Sequence, residues 1–157
     1  MSVTTASGAK IFIGPTTAAA DAAAYAALTY TEIAEVESLG EFGDEAADVT
    51  FTSLSDARVR HLKGSRDAGV MSVVVGRDPL DPGQVAARAA EKTKFAYAFK
   101  VVAADALDAN DTDSIFYFHA LVQSAKENFG ESDNVVRTTF NLGITTAIIE
   151  VPATVVP

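Results

Sequence analysis

Apolar and polar residues alternate along much of the chain, and this period of two predicts half-buried β-strands. Residues 94–102 place Lys94 and Lys100 on one face. The opposite face of the same stretch is apolar and consists of Phe95, Tyr97, Phe99 and Val101. Residues 135–144 alternate in the same way, with Arg137, Thr139 and Asn141 opposed by Val136, Phe140, Leu142 and Ile144. Two strands with apolar inner faces are therefore expected to oppose each other in a core.

Residues 114–127 are too aromatic and β-branched for an exposed helix and predict a long strand, covered on both faces over its first half. Shorter apolar stretches predict further strands at 9–13, 28–36, 49–54, 70–76 and 147–151.

One segment has helical character instead. Asp81 is placed to cap the helix, Pro82 occupies its first position, and Gln84 completes a capping-box arrangement. The helix is expected to end near Lys92 and to bury a narrow face of Val85, Ala86, Ala89 and Ala90. Residues 17–28 are rich in alanine and predict either a short second helix or an irregular segment of small residues.

These elements predict a mainly β fold: a two-sheet antiparallel β-sandwich or open barrel with one flanking α-helix. With 157 residues the chain is expected to form a single domain over 1–157, with extended N- and C-terminal arms and a long early loop at about 39–69.

Composition narrows the function classes. The formal net charge of −9 opposes binding to nucleic-acid phosphates, because basic surface supplies most of that affinity. No cysteine is present to form disulfides or cysteine-ligated metal sites. The N-terminal residues lack a basic region followed by an apolar one, so no secretory signal is recognised, and no membrane partner is expected.

The charged residues are unevenly distributed between two adjacent blocks. Residues 31–50 contain seven acids and no base, among them Glu41, Asp44, Glu45 and Asp48. A basic block follows directly, with Arg58, Arg60, Lys63 and Arg66 within nine positions. Without interleaved aromatic residues, this block does not resemble a nucleic-acid site. Opposite charges favour contact between two copies of the chain, and the alternative is a pair of solvated loops without a partner.

Both ends of the chain are nearly uncharged. Residues 1–20 carry only Lys10 and residues 138–157 only Glu150. The apolar tail, with Val151, Pro152, Val155 and Val156, predicts an arm that packs on neighbouring subunits. The alternative is a last strand and frayed tail of the same domain.

Candidate catalytic and metal sites are weak. His119 could be drawn into a triad with Asp113 and a serine, but no G-x-S-x-G motif accompanies it, and it lies in an apolar strand where a packed role is favoured. His61 is expected to be solvated. Read as a calcium loop, residues 108–119 have Asp113 where glycine is needed and His119 where glutamate is needed. We therefore expect no catalytic residue, no metal and no cofactor.

The residues over 27–84, from ALTYTEIAEVESLGEFGDEAADVTFT to VVVGRDPLDPGQ, resemble the major tail tube protein of long-tailed, non-contractile (siphovirus, lambda-like) bacteriophages. The likeness continues through EKTKFAYAFKVV, DANDTDSIFYFHALV and ENFGESDNVVRTTFNLGITTAIIEVPATVV, and so covers nearly the whole chain from Lys10.

This resemblance implies two packed β-sheets and one flanking helix. It implies hexameric rings that stack into a hollow tail tube through which DNA passes without specific binding. The early segment 39–69 would reach the adjacent ring, which gives the basic block a role. Other implied partners are the tape measure, terminator and distal tail proteins, in a virion tail assembled in the host cytoplasm. An acidic bore would repel DNA phosphates, although only within ~8 Å of the wall.

Two alternatives remain. The chain could be the tube protein of a related injection or secretion machine, which would share this architecture. It could also be a small β-fold hydrolase or ligand-binding domain, which would remain a monomer at high concentration.

Overall fold

The computed structural model describes residues 3–154. It contains ten strands and two helices in that part of the chain. The elements are, in order, β1 (Lys10–Ile13), α1 (Ala22–Ala26), β2 (Thr31–Ile33), β3 (Val36–Ser38), β4 (Glu45–Thr52), β5 (Val59–Asp67), β6 (Val70–Gly76), α2 (Pro82–Glu91), β7 (Tyr97–Val102), β8 (Ile115–Asn128), β9 (Arg137–Ile144) and β10 (Ile149–Val151). Every strand pairing is antiparallel.

The long strand β8 belongs to two layers. Its first half pairs with β7 on one side and β10 on the other, and β7 continues through β1 to β2. Its second half pairs with β9, which continues through β6 to β3. The register shifts between Val122 and Ser124, where one extra residue lets the strand bend from one layer into the other. The mainly β, antiparallel fold with a flanking helix is confirmed.

The two ends of this sheet meet because they are adjacent in sequence. Edge strands β2 and β3 are separated only by Ala34 and Glu35, so the sheet must curl back on itself. Glu35 makes the turn with a φ of 61°. Its carbonyl accepts a hydrogen bond from the Gly76 amide at 2.7 Å, which ties the turn to the end of β6. The predicted strand at 28–36 is thus two short strands at opposite edges.

The N-terminus of helix α2 lies next to this turn in space. Asp81 caps the helix as predicted, accepting from the Gln84 amide (3.0 Å), and also accepts from the Ala34 amide (3.1 Å). The Gln84 side chain does not complete a capping box. It is buried and binds three backbone groups, donating to the carbonyls of Ala34 and Gly76 and accepting from the Asp78 amide. The helix and the turn therefore stabilise each other.

The inner face of α2 differs from the prediction. Gly83, Gln84, Ala87 and Ala90 are buried, whereas Val85 and Ala89 are exposed. The helix packs on β8 and β2, and at Gly83 it approaches so closely that a side chain would clash with the Glu32 carbonyl. Because the two backbones come this close, the face of α2 that is buried is the one that contains Gly83 and the small residues Ala87 and Ala90.

The main core lies between the two layers and under α2. Phe99 and Phe118 stack with ring centroids 5.9 Å apart, and Phe140, Leu142 and Met71 from the other layer complete the cluster. The predicted opposition of Phe99 to Phe140 and Leu142 is confirmed. Phe95 is a correction: it precedes β7, in the turn after α2, and is 55% exposed.

A second cluster covers the outer face of the first layer. Residues 15–30, with α1, bring Tyr25 against Tyr117 at a centroid distance of 5.3 Å. Burial, followed by the nearby Tyr117 and Tyr25, raises the pKa of Tyr30 to about 12, so its hydroxyl stays protonated and donates to the Tyr25 carbonyl. This cover explains why the first half of β8 is buried on both faces, as predicted.

Candidate subunit interface

The early segment forms a projecting β-hairpin. Strands β4 and β5 pair from Glu45 opposite Asp67 to Thr52 opposite Val59, and neither packs substantially on any other helix or strand. Eight residues of strand span about 27 Å, so the tip lies far from the body. Residues 59–67 are thus a strand, although the sequence predicted a strand only at 49–54.

The acidic and basic blocks meet inside this hairpin. The Asp48 carboxylate lies 3.0 Å from His61 Nδ1, so His61 is exposed but paired. At the base, Asp44 pairs with Arg66 at 3.3 Å. Asp44 and Arg66 thus form a pair between the two blocks within one copy of the chain.

Other members of the two blocks lack such partners. Lys63 lies opposite Asp48 in register, yet neither Lys63 nor Arg58 takes part in an ion pair within residues 3–154. Glu41 lies in the segment that leads into the hairpin, and Glu45 opposes Asp67 at its first register position. Arg58 and Lys63 are the cations that remain available for another molecule.

The hairpin tip is ordered by its own side chains. Asp56 accepts from the Arg58 amide at 3.1 Å and from the Arg60 guanidinium at 2.8 Å. These two hydrogen bonds, first the amide and then the guanidinium, lower the pKa of Asp56 below its usual range. Ala57 closes the turn with a φ of 52° and donates its amide to the Ser53 carbonyl. The tip is thus a defined shape that presents Arg58 outward.

One face of the hairpin is apolar and exposed. Val49 lies opposite Leu62 and on the same face as Phe51; the three side chains are 46%, 57% and 55% exposed. Leu54 at the tip is fully exposed. Exposed apolar surface of this kind typically marks an interface. The alternation in residues 49–52 predicted the strand, but only the projection of the hairpin shows that its apolar face is uncovered.

The C-terminal segment continues along the body. Val151 is half-buried in β10, opposite Ile115, and so belongs to the subunit's own sheet. Beyond Pro152, Ala153 donates to Ser114 Oγ, and Thr154 bonds with Thr112. Up to residue 154 the segment lies along its own subunit, and its contact with a neighbouring subunit stays a prediction. Val155 and Val156, also predicted as arm residues, lie outside the described residues.

Comparison with known proteins identifies the family. Residues 15–148 match the family described as phage tail tube protein, TTP. The chain belongs to the phage tail tube protein family. This confirms the resemblance found in the sequence, and the family's members are structural components of the phage tail. No curated protein matches the chain in sequence.

Solved structures of tail machines share the fold of this tail tube family member. The SPP1 tail tube, a hybrid structure by solid-state NMR and cryo-EM, is 17% identical with a TM-score of 0.60 over 90% of this chain and 75% of that one. A chain of the PVC sheath/tube terminator, from an extracellular contractile injection system in its extended state, is 8% identical with a TM-score of 0.69 over 94% and 96%. A chain of the six-fold symmetrised anti-feeding prophage baseplate is 11% identical with a TM-score of 0.69 over 97% and 98%.

In this tail tube family member, His119 has a structural environment. It is buried, and its Nε2 lies 2.9 Å from the Thr17 carbonyl, which can only accept, so Nε2 carries the proton. Nδ1 then accepts from the Tyr25 hydroxyl at 2.7 Å. The imidazole joins the N-terminal segment to β8, and both of its nitrogens are occupied.

The acidic residues at 105–113 hold their own loop together. Asp105 accepts from the hydroxyl of Ser114 and from its amide, and these two hydrogen bonds, first the hydroxyl and then the amide, lower the pKa of the Asp105 carboxyl below its usual range. Asp113 and Asp108 accept from the amides of Ala106 and Asn110. Across residues 3–154 no group of three or more potential ligands could hold a metal ion. Within the same residues, neither helix is long and apolar enough to span a bilayer.

Proposed function

We propose that this protein is the repeating subunit of a phage tail tube, closing into six-membered rings that stack into a hollow tube for DNA. The projecting hairpin carries the proposal, because it exposes an apolar face and because Arg58 and Lys63 have no ion pair within residues 3–154. The family match and the fold of a six-fold symmetrised injection-system baseplate support ring formation.

The hairpin is the contact between rings. Its basic residues Arg58, Arg60, Lys63 and Arg66, together with the acids Glu41, Asp44, Glu45 and Asp48, line its base, strands and tip. Each exposed ion pair contributes only ~0.2–1 kcal/mol. Six hairpins acting together on one ring multiply that contribution through effective concentration.

The C-terminal residues contribute to contacts between subunits. Val151 fixes the start of this segment in the sheet, and the exposed Pro152 follows it on the surface that we assign to a neighbouring subunit; Val155 and Val156, which complete the predicted arm, lie outside the described residues. The tape measure protein inside the tube, the terminator protein and the distal tail proteins at its ends are the further partners, with assembly in the host cytoplasm.

Passage of DNA requires a bore that does not bind it. The formal charge of −9 per subunit is repeated six times per ring, and the share of it that lies on the wall of the bore would repel phosphates at short range. The proposal assigns the protein no catalytic activity, and it expects DNA to pass without specific binding.

Electron microscopy of the purified protein in negative stain tests the proposal. We expect rings or tubes of uniform width, and six-fold symmetry in end views. A monodisperse monomer at high concentration would contradict it and favour a ligand-binding domain or hydrolase.

A tube protein of a contractile injection machine is the second candidate, because two such assemblies share the fold over nearly the full chain. Co-expression with the neighbouring structural genes distinguishes the two, since a contractile machine surrounds its tube with a sheath and a non-contractile tail leaves it bare.

A further inference from the structure

We infer that the hairpin tip docks on the opposite end of a second copy, on the surface formed by the loops 77–81 and 129–136, here called the far-end surface. The inference rests on the proposed function and identifies where the hairpin of one ring meets the next. Four observations support it: position, rigidity, exposed apolar residues and charge.

The far-end surface lies at the other end of the strands from the hairpin. The hairpin enters β6 at Val70, while β6 ends at Gly76 and leads directly into loop 77–81. Loop 129–136 connects the matching ends of β8 and β9, where Asn128 pairs with Arg137. Seven residues of β6 separate the two ends by about 23 Å. A contact between opposite ends of two copies is heterologous, and it repeats as an open stack when its geometry does not close into a ring.

The far-end surface is held in shape. The Arg77 amide donates to the Val136 carbonyl at 3.0 Å, which joins the two loops. Within loop 129–136 the Asn134 amide donates to the Glu131 carbonyl, and Gly130 adopts a φ of 61° with the Asn134 side chain packed against it. Arg77 also pairs with Glu127 at 3.3 Å. A rigid surface can receive a tip without a large cost in conformational entropy.

Exposed apolar residues occur on both partners. Phe129 and Val135 are 60% and 62% exposed, and Leu80 in the adjoining loop is 87% exposed. The hairpin presents Leu54 at its tip and Phe51 next to it. Uncovered apolar side chains on two surfaces that meet would be buried together.

The charges are complementary. Loop 129–136 contains Glu131 and Asp133 and no base, and neither acid takes part in an ion pair within residues 3–154. The tip presents Arg58, which is equally without an ion pair there. Nearer the hairpin base Arg66 pairs with Asp44 and His61 with Asp48, whereas Arg58 at the tip has no such partner within residues 3–154 and can meet an acidic surface.

Disulfide crosslinking tests the contact directly, because the natural chain has no cysteine. The variant Leu54→Cys, Phe129→Cys should give a ladder of crosslinked oligomers in oxidised tubes. The matched control Leu54→Cys, Leu107→Cys replaces an equally exposed leucine in the loop before β8, at the other end of that strand. The control should give no ladder. Tubes without a ladder from the first pair, or a ladder from the control pair alone, would overturn the inference and leave the proposed function intact.

Charge exchange gives a second readout. Arg58→Glu alone, and Glu131→Arg with Asp133→Arg alone, should each reduce tube yield about tenfold or more, since every interface of a ring is affected. A single chain carrying all three substitutions pairs each altered tip with an altered far-end surface, and tube yield should recover. Failure to recover, with the chain folded by circular dichroism, would contradict the docking. If the wild-type chain forms no tubes, the proposed function itself fails.

Discussion

Two phenylalanines four positions apart show how burial determines what a side chain contributes to the stability of the fold. Phe99 is fully buried and stacked on Phe118, while Phe95 is mostly exposed. We expect Phe99→Ala to lower the free energy of unfolding by ~3–5 kcal/mol, the usual range for a buried aromatic residue. Urea denaturation followed by circular dichroism measures the loss.

Phe95→Ala is the matched control, because the chemical change is identical and only burial differs. It should change the free energy of unfolding by about 0.5 kcal/mol or less. Equal losses at the two positions would show that residues 94–96 belong to the core after all. The period-two pattern does not distinguish Phe95 from Phe99, because the alternation extends from β7 back into the turn that follows α2.

Gln84 offers a second test at the residue scale. Gln84→Ala leaves the carbonyls of Ala34 and Gly76 and the Asp78 amide without their partner, and each buried unsatisfied group costs about 1–3 kcal/mol. We expect a loss at the upper end of that range or beyond, measured by urea denaturation.

Gln84→Glu makes the same site sensitive to pH. A carboxylate facing two carbonyls is destabilised, so its pKa in the folded state should rise above the ~4.3 of an unfolded glutamate. The unfolded state then loses its proton first, and the variant becomes less stable as pH rises above ~4.3. Equal destabilisation at pH 5 and pH 8 would contradict this account of the site.

At the scale of elements, the sequence predicts those strands and helix ends whose pattern of apolar, polar and capping residues matches their burial in the fold. Strands β8 and β9 and the N-terminus of α2 are of this kind, since alternation and capping residues mark them directly. Strand β5 is different: its residues are mostly polar and exposed, and its conformation comes from pairing with β4. The candidate interface was predicted by its charges, but its apolar face and the far-end surface depend on which side chains the fold leaves uncovered.

The hairpin should be dispensable for folding. Glu45 and Asp67 form the first register pair, so residues 46–66 can be replaced by Asn-Gly, a two-residue hairpin turn. Because the hairpin strands contact essentially only each other, we expect the free energy of unfolding to change by no more than about 1 kcal/mol. The same variant should form no tubes in the microscope. A large loss of stability would mean that the hairpin is part of the core.

At the scale of the whole molecule, the decisive contacts are those between distant parts of the chain. The sheet curls closed because β2 and β3, its two edges, are joined by two residues, and Gln84 and Asp81 hold that junction. No local pattern contains this information, since the strand expected at 28–36 would be continuous. The closed body then places the hairpin at one end and the far-end surface at the other.

A molecule with one tip and one receiving end builds a directional tube, and this predicts how growth can be stopped. The variant lacking residues 46–66 keeps its far-end surface, so a ring containing it can accept the tips of a wild-type ring but presents fewer tips of its own. Adding this variant to wild-type subunits should shorten the tubes in proportion to the fraction added, as measured by length distributions in negative stain. The same variant carrying Glu131→Arg and Asp133→Arg also loses its receiving surface, so mixed rings are weakened at both ends and the tubes should shorten more steeply. Equal shortening by both variants would mean that loop 129–136 takes no part in the contact between rings.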